Sequence, residues 1–226
     1  MCFSAEASFV AGAVLIGGGA AAHVYCRTGR DRLLASIPLL FGIQQVTEGI
    51  LWVTLQSGGP KSLQQTAAYI FCTIASIWPT IFPAALICRR QDRSRRRILA
   101  ALLIPGIATT MYMLAYLYAG GVSARIYHYS IRYDGFLPFE DLVGGVYAFV
   151  MTFTMFVSRY WWLRTIGILA AVSYAASFLF YRFTYPSVWC FFAAWISFCI
   201  VMHLRSLSVK AGARHRLRTL RRVTHG

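Results

Sequence analysis

The chain has 226 residues, of which 58% are apolar and 13% charged, and its mean hydropathy is +0.58. That balance excludes an ordinary soluble domain and a disordered chain. The formal net charge of +15 is strongly basic, but the basic runs carry no interleaved aromatic platform, so nucleic acid is not the expected partner.

A membrane span needs about 20 mostly apolar residues. Seven such stretches are predicted, at about 8–26, 33–56, 66–88, 97–119, 141–158, 160–181 and 184–204. They use most of the chain, so the predicted fold is all-α: a single seven-transmembrane-helix bundle over 1–205, followed by a basic tail over 206–226.

The first span is preceded only by Met1-Cys2-Phe3-Ser4-Ala5-Glu6, which carries no basic residue, and is followed by Arg27, Arg30 and Arg32. A cleaved signal peptide would show the reverse order of charge. The pattern places the N-terminus outside and, with seven spans, the C-terminus in the cytoplasm. Ala13, Gly17 and Ala21 recur at four-residue steps and predict a face for close helix packing. Ser4 is a candidate helix cap and Glu6 suits the positive end of the helix dipole. Removal of the initiator Met would leave an amine and a thiol at Cys2, four residues from the Glu6 carboxylate, a pair able to chelate a metal.

The second span contains the most informative residue. Glu48 lies within Ile37-Pro38-Leu39-Leu40-Phe41-Gly42-Ile43-Gln44-Gln45-Val46-Thr47-Glu48-Gly49-Ile50-Leu51-Trp52, a run too long and apolar for a soluble surface helix. A carboxylate there must be neutralised, paired or watered, at a cost of about 3 kcal/mol otherwise. Gln44, Glu48 and Trp52 are four residues apart and share one helical face, with Gln45 beside them. That polar stripe predicts a ligand, metal or proton site, and the plainer alternative is a hydrogen-bond knot that fixes packing.

Pro38, Pro79, Pro83 and Pro105 interrupt spans two, three and four and predict kinks, because each removes a backbone hydrogen bond. Trp78 next to Pro79 reads as a packing feature. After span four, Arg125 to Gly135 is rich in β-formers and ends on Asp-Gly, so a short extended segment or hairpin is expected over the outer mouth. It holds His128, the one histidine expected outside. Imidazole, carboxylate and thiolate are usual zinc ligands, which makes Glu48, His128, Cys2 and Glu6 a chemically sensible metal set, although no ligand spacing supports it. Glu140 and Asp141 open span five as dipole charges. Eleven of the 13 tyrosines fall in the middle or outer half, which suits an aromatic vestibule or an interfacial belt.

All but four of the 22 Lys and Arg residues collect on the predicted cytoplasmic side; the exceptions are Lys61, Arg125, Arg132 and Arg182. The excess is read as topology and as attraction to anionic lipid. Six cysteines show no Cys-x-x-Cys spacing. A Cys2–Cys190 disulfide is conceivable on topology, while most read as small apolar residues. His23 and His203, near the cytoplasmic ends of spans one and seven, could in principle ligate haem, but satisfied or interfacial histidines are expected. The only lysines, Lys61 and Lys210, lie outside the spans, which excludes a retinal Schiff base. Walker, Rossmann and His-Glu-x-x-His motifs are missing.

The opening Met1-Cys2-Phe3-Ser4-Ala5-Glu6-Ala7-Ser8-Phe9, the second-span run from Ile37 to Gln45 with Glu48, Gly49 and Trp52, and the stretch Trp189-Cys190-Phe191-Phe192 resemble a family of uncharacterised bacterial polytopic integral-membrane proteins. The resemblance implies a multi-pass protein of the bacterial cytoplasmic membrane and implies no activity.

Three functions are carried forward. The first is an outward-facing polar pocket around Glu48 that binds a small ligand or cation, as in a transporter or sensor, with Gln44, Gln45 and Trp52 orienting the guest. The second is a metal-dependent enzyme, zinc being the candidate cofactor, acting on a lipid or lipid-soluble substrate at the outer leaflet. The third is a structural or assembly subunit in which Glu48 pairs with another chain.

Overall fold

The computed structural model describes residues 4–26, 28–89, 91–127, 130–135, 137–180 and 196–209. Among these the chain is helical throughout except for one hairpin. In chain order run α1 (Ala5–Tyr25), a 3₁₀ turn (Gly29–Asp31), α2 (Arg32–Gln56), α3 (Lys61–Ile87), α4 (Arg93–Gly120), β1 (Ser123–Tyr127), β2 (Ser130–Asp134), α5 (Glu140–Val157), α6 (Trp161–Phe180) and α7 (Ile196–Val209). The first six predicted spans coincide with helices; of the seventh only 196–204 is described, and it lies on α7, which continues to Val209. Five stretches, α1, Gly29–Gln56, α3, α4 and α5, are long and apolar enough to cross a membrane.

Helices α1 and α2 pack antiparallel through glycines. A Cβ on Gly12 would strike Val46, on Gly42 would strike Ile16, on Gly19 would strike the Leu39 backbone, and on Gly49 would strike the Phe9 ring. As α1 advances through these pairs, α2 recedes by the same count, so one register holds along the whole seam. Small residues let the two backbones approach closely, which gains dispersion contacts that lipid cannot supply. The predicted packing face was misplaced. Ala13 and Gly17 are exposed and nothing lies within 4 Å of a Cβ on Gly17; the row that meets α2 is Ser8, Gly12, Leu15, Gly19 and Ala22. A helix apolar on all sides carries two rows of small residues, and periodicity cannot say which one turns inward.

Helix α3 runs through two prolines, and its neighbours compensate for what they remove. Pro79 has no N–H for the carbonyl of Ala75. The Tyr147 hydroxyl of α5 donates to that carbonyl at 2.9 Å. From α4, the Thr110 hydroxyl donates to Ser76 O at 2.9 Å and so accepts from Thr80, whose hydroxyl is also 2.9 Å away. Pro83 in turn frees the Pro79 carbonyl, and Gly106 of α4 sits directly against it, leaving no room for a Cβ. The prolines therefore set the α3–α4–α5 contact as well as the local backbone.

The hairpin is antiparallel with Ser123 opposite Asp134 and Tyr127 opposite Ser130. The expectation of a hairpin holds, and Asp134-Gly135 ends the second strand as expected. Both predicted first-turn acids of span five, Glu140 and Asp141, open α5 as expected. The bundle thus has a hairpin end and, opposite it, an arginine-rich end formed by the connections α1–α2, α3–α4 and α5–α6.

Candidate functional site

Glu48 lies on α2 two turns from the hairpin end and is 0% exposed. Gln44 and Gln45 are each 1% exposed and Trp52 is 3% exposed, so the whole predicted stripe faces inward. Gln45 Nε2 donates to Glu48 Oε2 at 3.4 Å, and Gln44 Oε1 accepts from the indole of Trp78 on α3 at 3.1 Å. Because an indole only donates, this bond fixes which way the Gln44 amide points. Phe41, one turn below, stacks on the Trp78 ring with centroids 3.9 Å apart. Trp78 was read from sequence as packing alone. Its role as the partner of Gln44 had no local signal, because the two are 34 positions apart.

Two groups at this level have no partner. Ser8 on α1 is fully buried between the Phe9/Gly49 and Gly12/Val46 contacts, and its hydroxyl makes no hydrogen bond. The Trp52 indole N–H is likewise buried and unbonded. A buried donor without an acceptor costs about 1–3 kcal/mol. The hydroxyls of Thr154 on α5 and Ser197 on α7 are also buried without a hydrogen bond, whereas Trp52 lies one turn from Glu48 on the same face of α2.

Above the site sits the hairpin. Val122 (7% exposed) and Ile131 (0%) pack in one apolar cluster with Leu51, Trp52, Ala67 and Ala68, and the Tyr133 ring stacks on Phe71 with centroids 4.4 Å apart.

The predicted metal set is only partly described. Cys2 and His128 lie outside the described residues, as do Cys190, Trp189, Lys210 and the tail beyond 209. Ser4 caps α1 by accepting from Ala7 N at 3.2 Å, and Glu6 is exposed in the first turn, where a carboxylate complements the helix dipole. Among the described residues no three His, Cys, Asp or Glu side chains gather as metal ligands. His23 is satisfied, with Nδ1 bonded to Gly19 O at 2.9 Å and Nε2 3.3 Å from the Ser36 hydroxyl. Of the tyrosines on α3 and α4, Tyr69 stacks on Tyr118, whose hydroxyl bonds Thr73, and the Tyr112 hydroxyl donates to Pro138 O.

A second polar centre lies at the arginine-rich end. Arg89, just past α3, is 7% exposed; its Nε is 3.1 Å from Asp31 Oδ1 and its guanidinium lies over the Tyr160 ring, 4.8 Å from the centroid. Tyr160 packs edge-on to His203 of α7, and Thr28 donates to Asp31 at 2.6 Å. One guanidinium therefore ties the α1–α2, α3–α4 and α5–α6 connections, and through Tyr160 reaches α7. Sequence reasoning took these residues as part of a basic coat. The available signal was scarcity: Asp31 and Asp92 are the only acids at that end.

A family of unknown function, DUF6629, matches residues 1–216, and the chain belongs to it. Comparison with curated proteins and with solved structures found no match.

Proposed function

Taking the chain as a member of that family, we propose that it is a seven-span protein of the bacterial cytoplasmic membrane whose Glu48 centre binds a small ligand or cation, as in a transporter or sensor. In this reading the hairpin end faces outward, the arginine-rich end lies against the anionic lipid of the cytoplasmic leaflet, and both α6 and α7 cross the membrane. The charge asymmetry along the chain supports that orientation.

One observation carries the functional part. Glu48 is a fully buried carboxylate on α2; one turn along the same face the Trp52 indole N–H is buried without a hydrogen bond, as is the Ser8 hydroxyl on α1. A helix pair built only to pack has no use for that arrangement, since apolar residues of the same volume would cost nothing to bury. Glu48 takes a proton or pairs with a cation as the guest binds; Gln45 holds the carboxylate, and Ser8 and Trp52 offer donors to the guest. Gln44 is held by Trp78 and positions the helix instead of contacting the guest. The enclosure of all four stripe residues makes this a closed form.

The test is thermal unfolding of purified protein in detergent, across pH 5 to 9, with sodium, potassium, magnesium and zinc ions as probes, comparing native chain with Glu48→Gln. The native protein is expected to show a pH- or cation-dependent shift that the variant lacks, while the variant keeps a cooperative transition. Identical responses of the two proteins at every pH and with every ion would make Glu48 a packing residue.

A further inference from the structure

At the arginine-rich end, where α1 finishes beside the start of α2, the hydrogen bonds of one histidine define its protonation. His23 Nδ1 lies 2.9 Å from Gly19 O, and Nε2 lies 3.3 Å from Ser36 Oγ. The Ser36 hydroxyl in turn donates to Arg32 O at 3.0 Å. A carbonyl oxygen only accepts, so Nδ1 carries a hydrogen. The hydroxyl of Ser36 has a single hydrogen, and Arg32 O receives it, so Nε2 must donate as well. All three bonds exist together only when His23 is an imidazolium. With Nε2 deprotonated, Nδ1–H still holds Gly19 O, but Ser36 bonds either Nε2 or Arg32 O and not both, so one bond is lost.

The setting suits a cation that comes and goes. His23 is in the last turn of α1, where the negative end of the helix dipole complements positive charge. One turn back, a Cβ on Gly19 would strike the Leu39 backbone, and this close approach of the helices is what lets the imidazole reach across to Ser36. The residue is exposed, so a proton reaches the ring without crossing the bundle. Among the described residues, the charged and titratable groups brought to this place are Tyr25 and Cys26 on α1, Arg30, Asp31 and Arg32 at the entry to α2, Arg89 beyond α3, and His203 and Arg205 on α7, which meets α1 where Gly18 faces Val201. Asp31 is the one acid in that set, and its carboxylate takes Arg89 and Thr28. The two groups that hold the ring, a carbonyl and a hydroxyl, are neutral.

We propose that His23 is a proton-binding site that clasps α1 to α2: the bound proton joins Gly19 O to Ser36, and its departure turns the Ser36 hydroxyl from Arg32 O to the ring, loosening the first turn of α2. Arg32 directly follows Asp31, whose carboxylate holds Arg89 over Tyr160, so the proton acts beside the tie between the connections of this end. That the proton comes from the cytoplasm rests on the orientation read above; the clasp does not.

The ring is read by nitrogen-15 NMR of the histidine-labelled native chain in detergent, with its signals identified by their loss in His23→Gln or, should that variant not fold, in His23→Asn. At low pH both nitrogens are expected to carry protons, and at high pH Nδ1 alone. A neutral ring protonated at Nε2 would overturn the proposal. Thermal unfolding measures the clasp. The additional hydrogen bond belongs to the protonated ring, so its stabilisation is present at low pH and lost as pH rises through the imidazole range. The Tm of the native chain minus that of the His23 variant is expected to be larger at pH 5.5 than at pH 8 by about 2–4 °C, and Ser36→Ala is expected to abolish that gain. A difference that stays constant with pH, or a gain that survives in Ser36→Ala, makes His23 a fixed bolt and refutes the clasp. The same comparison in a Glu48→Gln background is expected to keep the gain, which separates this response from any titration at Glu48; loss of the gain there would assign it to Glu48 and sink the proposal.

Discussion

Around Pro79 the polar groups inside the bundle are matched: Ala75 O takes the Tyr147 hydroxyl, Ser76 O takes Thr110, and Thr110 takes Thr80. Near Glu48 two are not, since Ser8 Oγ and Trp52 Nε1 are buried without a hydrogen bond. Both regions place polarity in an apolar bundle, and both are formed where helices approach through glycine. The difference is that the Pro79 hydroxyls and carbonyls are paired with one another, while at Ser8 and Trp52 a hydroxyl and an indole N–H are buried without a hydrogen bond. Matched polarity reads as architecture, and unmatched polarity beside a carboxylate reads as a site.

That contrast predicts opposite responses to substitution. The largest effect is expected at Gly106, where any Cβ meets the Pro79 carbonyl. Gly106→Val should cost about 3 kcal/mol or prevent folding, seen as a large fall in Tm in detergent or as loss of the monodisperse species on size exclusion. Thr110→Val removes one bond to Ser76 O and strands the Thr80 hydroxyl, and should cost about 1–2 kcal/mol. Tyr147→Phe leaves Ala75 O unpaired, and about 1 kcal/mol should be lost in the same unfolding measurement. At the Glu48 seam the sign changes. Ser8→Ala removes a hydroxyl that bonds nothing, so stability should be unchanged or raised by up to about 1 kcal/mol. If Ser8→Ala instead destabilises as much as Tyr147→Phe, the hydroxyl is bonded in solution and the distinction between the regions collapses.

Much of the fold was legible because membrane spans announce themselves by length and composition. The first six predicted spans fall on helices within a few residues, the described end of the seventh lies on α7, and the β-rich Arg125 to Gly135 segment lies on the hairpin. Glu48 was legible for the same reason: a carboxylate in a long apolar run has no ordinary explanation. What the sequence concealed depends on partners distant along the chain. The small-residue face of α1 was assigned to Ala13, Gly17 and Ala21, when Gly12 and Gly19 meet α2. Trp78 looked like packing because its acceptor, Gln44, is on another helix. Ser8 passed as one more hydroxyl near a helix start, and only its burial against α2 gives it meaning. Arg89 was lost among neighbouring arginines of the same charge, and the Asp31 that singles it out lies across the bundle.

The α1–α2 seam also bears on how such a carboxylate enters a bilayer in the first place. Helix α1 precedes α2 in the chain, so α2 emerges with a packing partner already made. The glycine pairs that run from Phe9/Gly49 to Gly19/Leu39 need no third helix to form. Consecutive helices of this kind can pass into lipid as a preassembled pair before α3 is made. A single helix bearing that charge would face the insertion machinery alone; the pair presents it with a predominantly apolar outer surface, and biosynthetic order becomes part of what makes a buried acid tolerable.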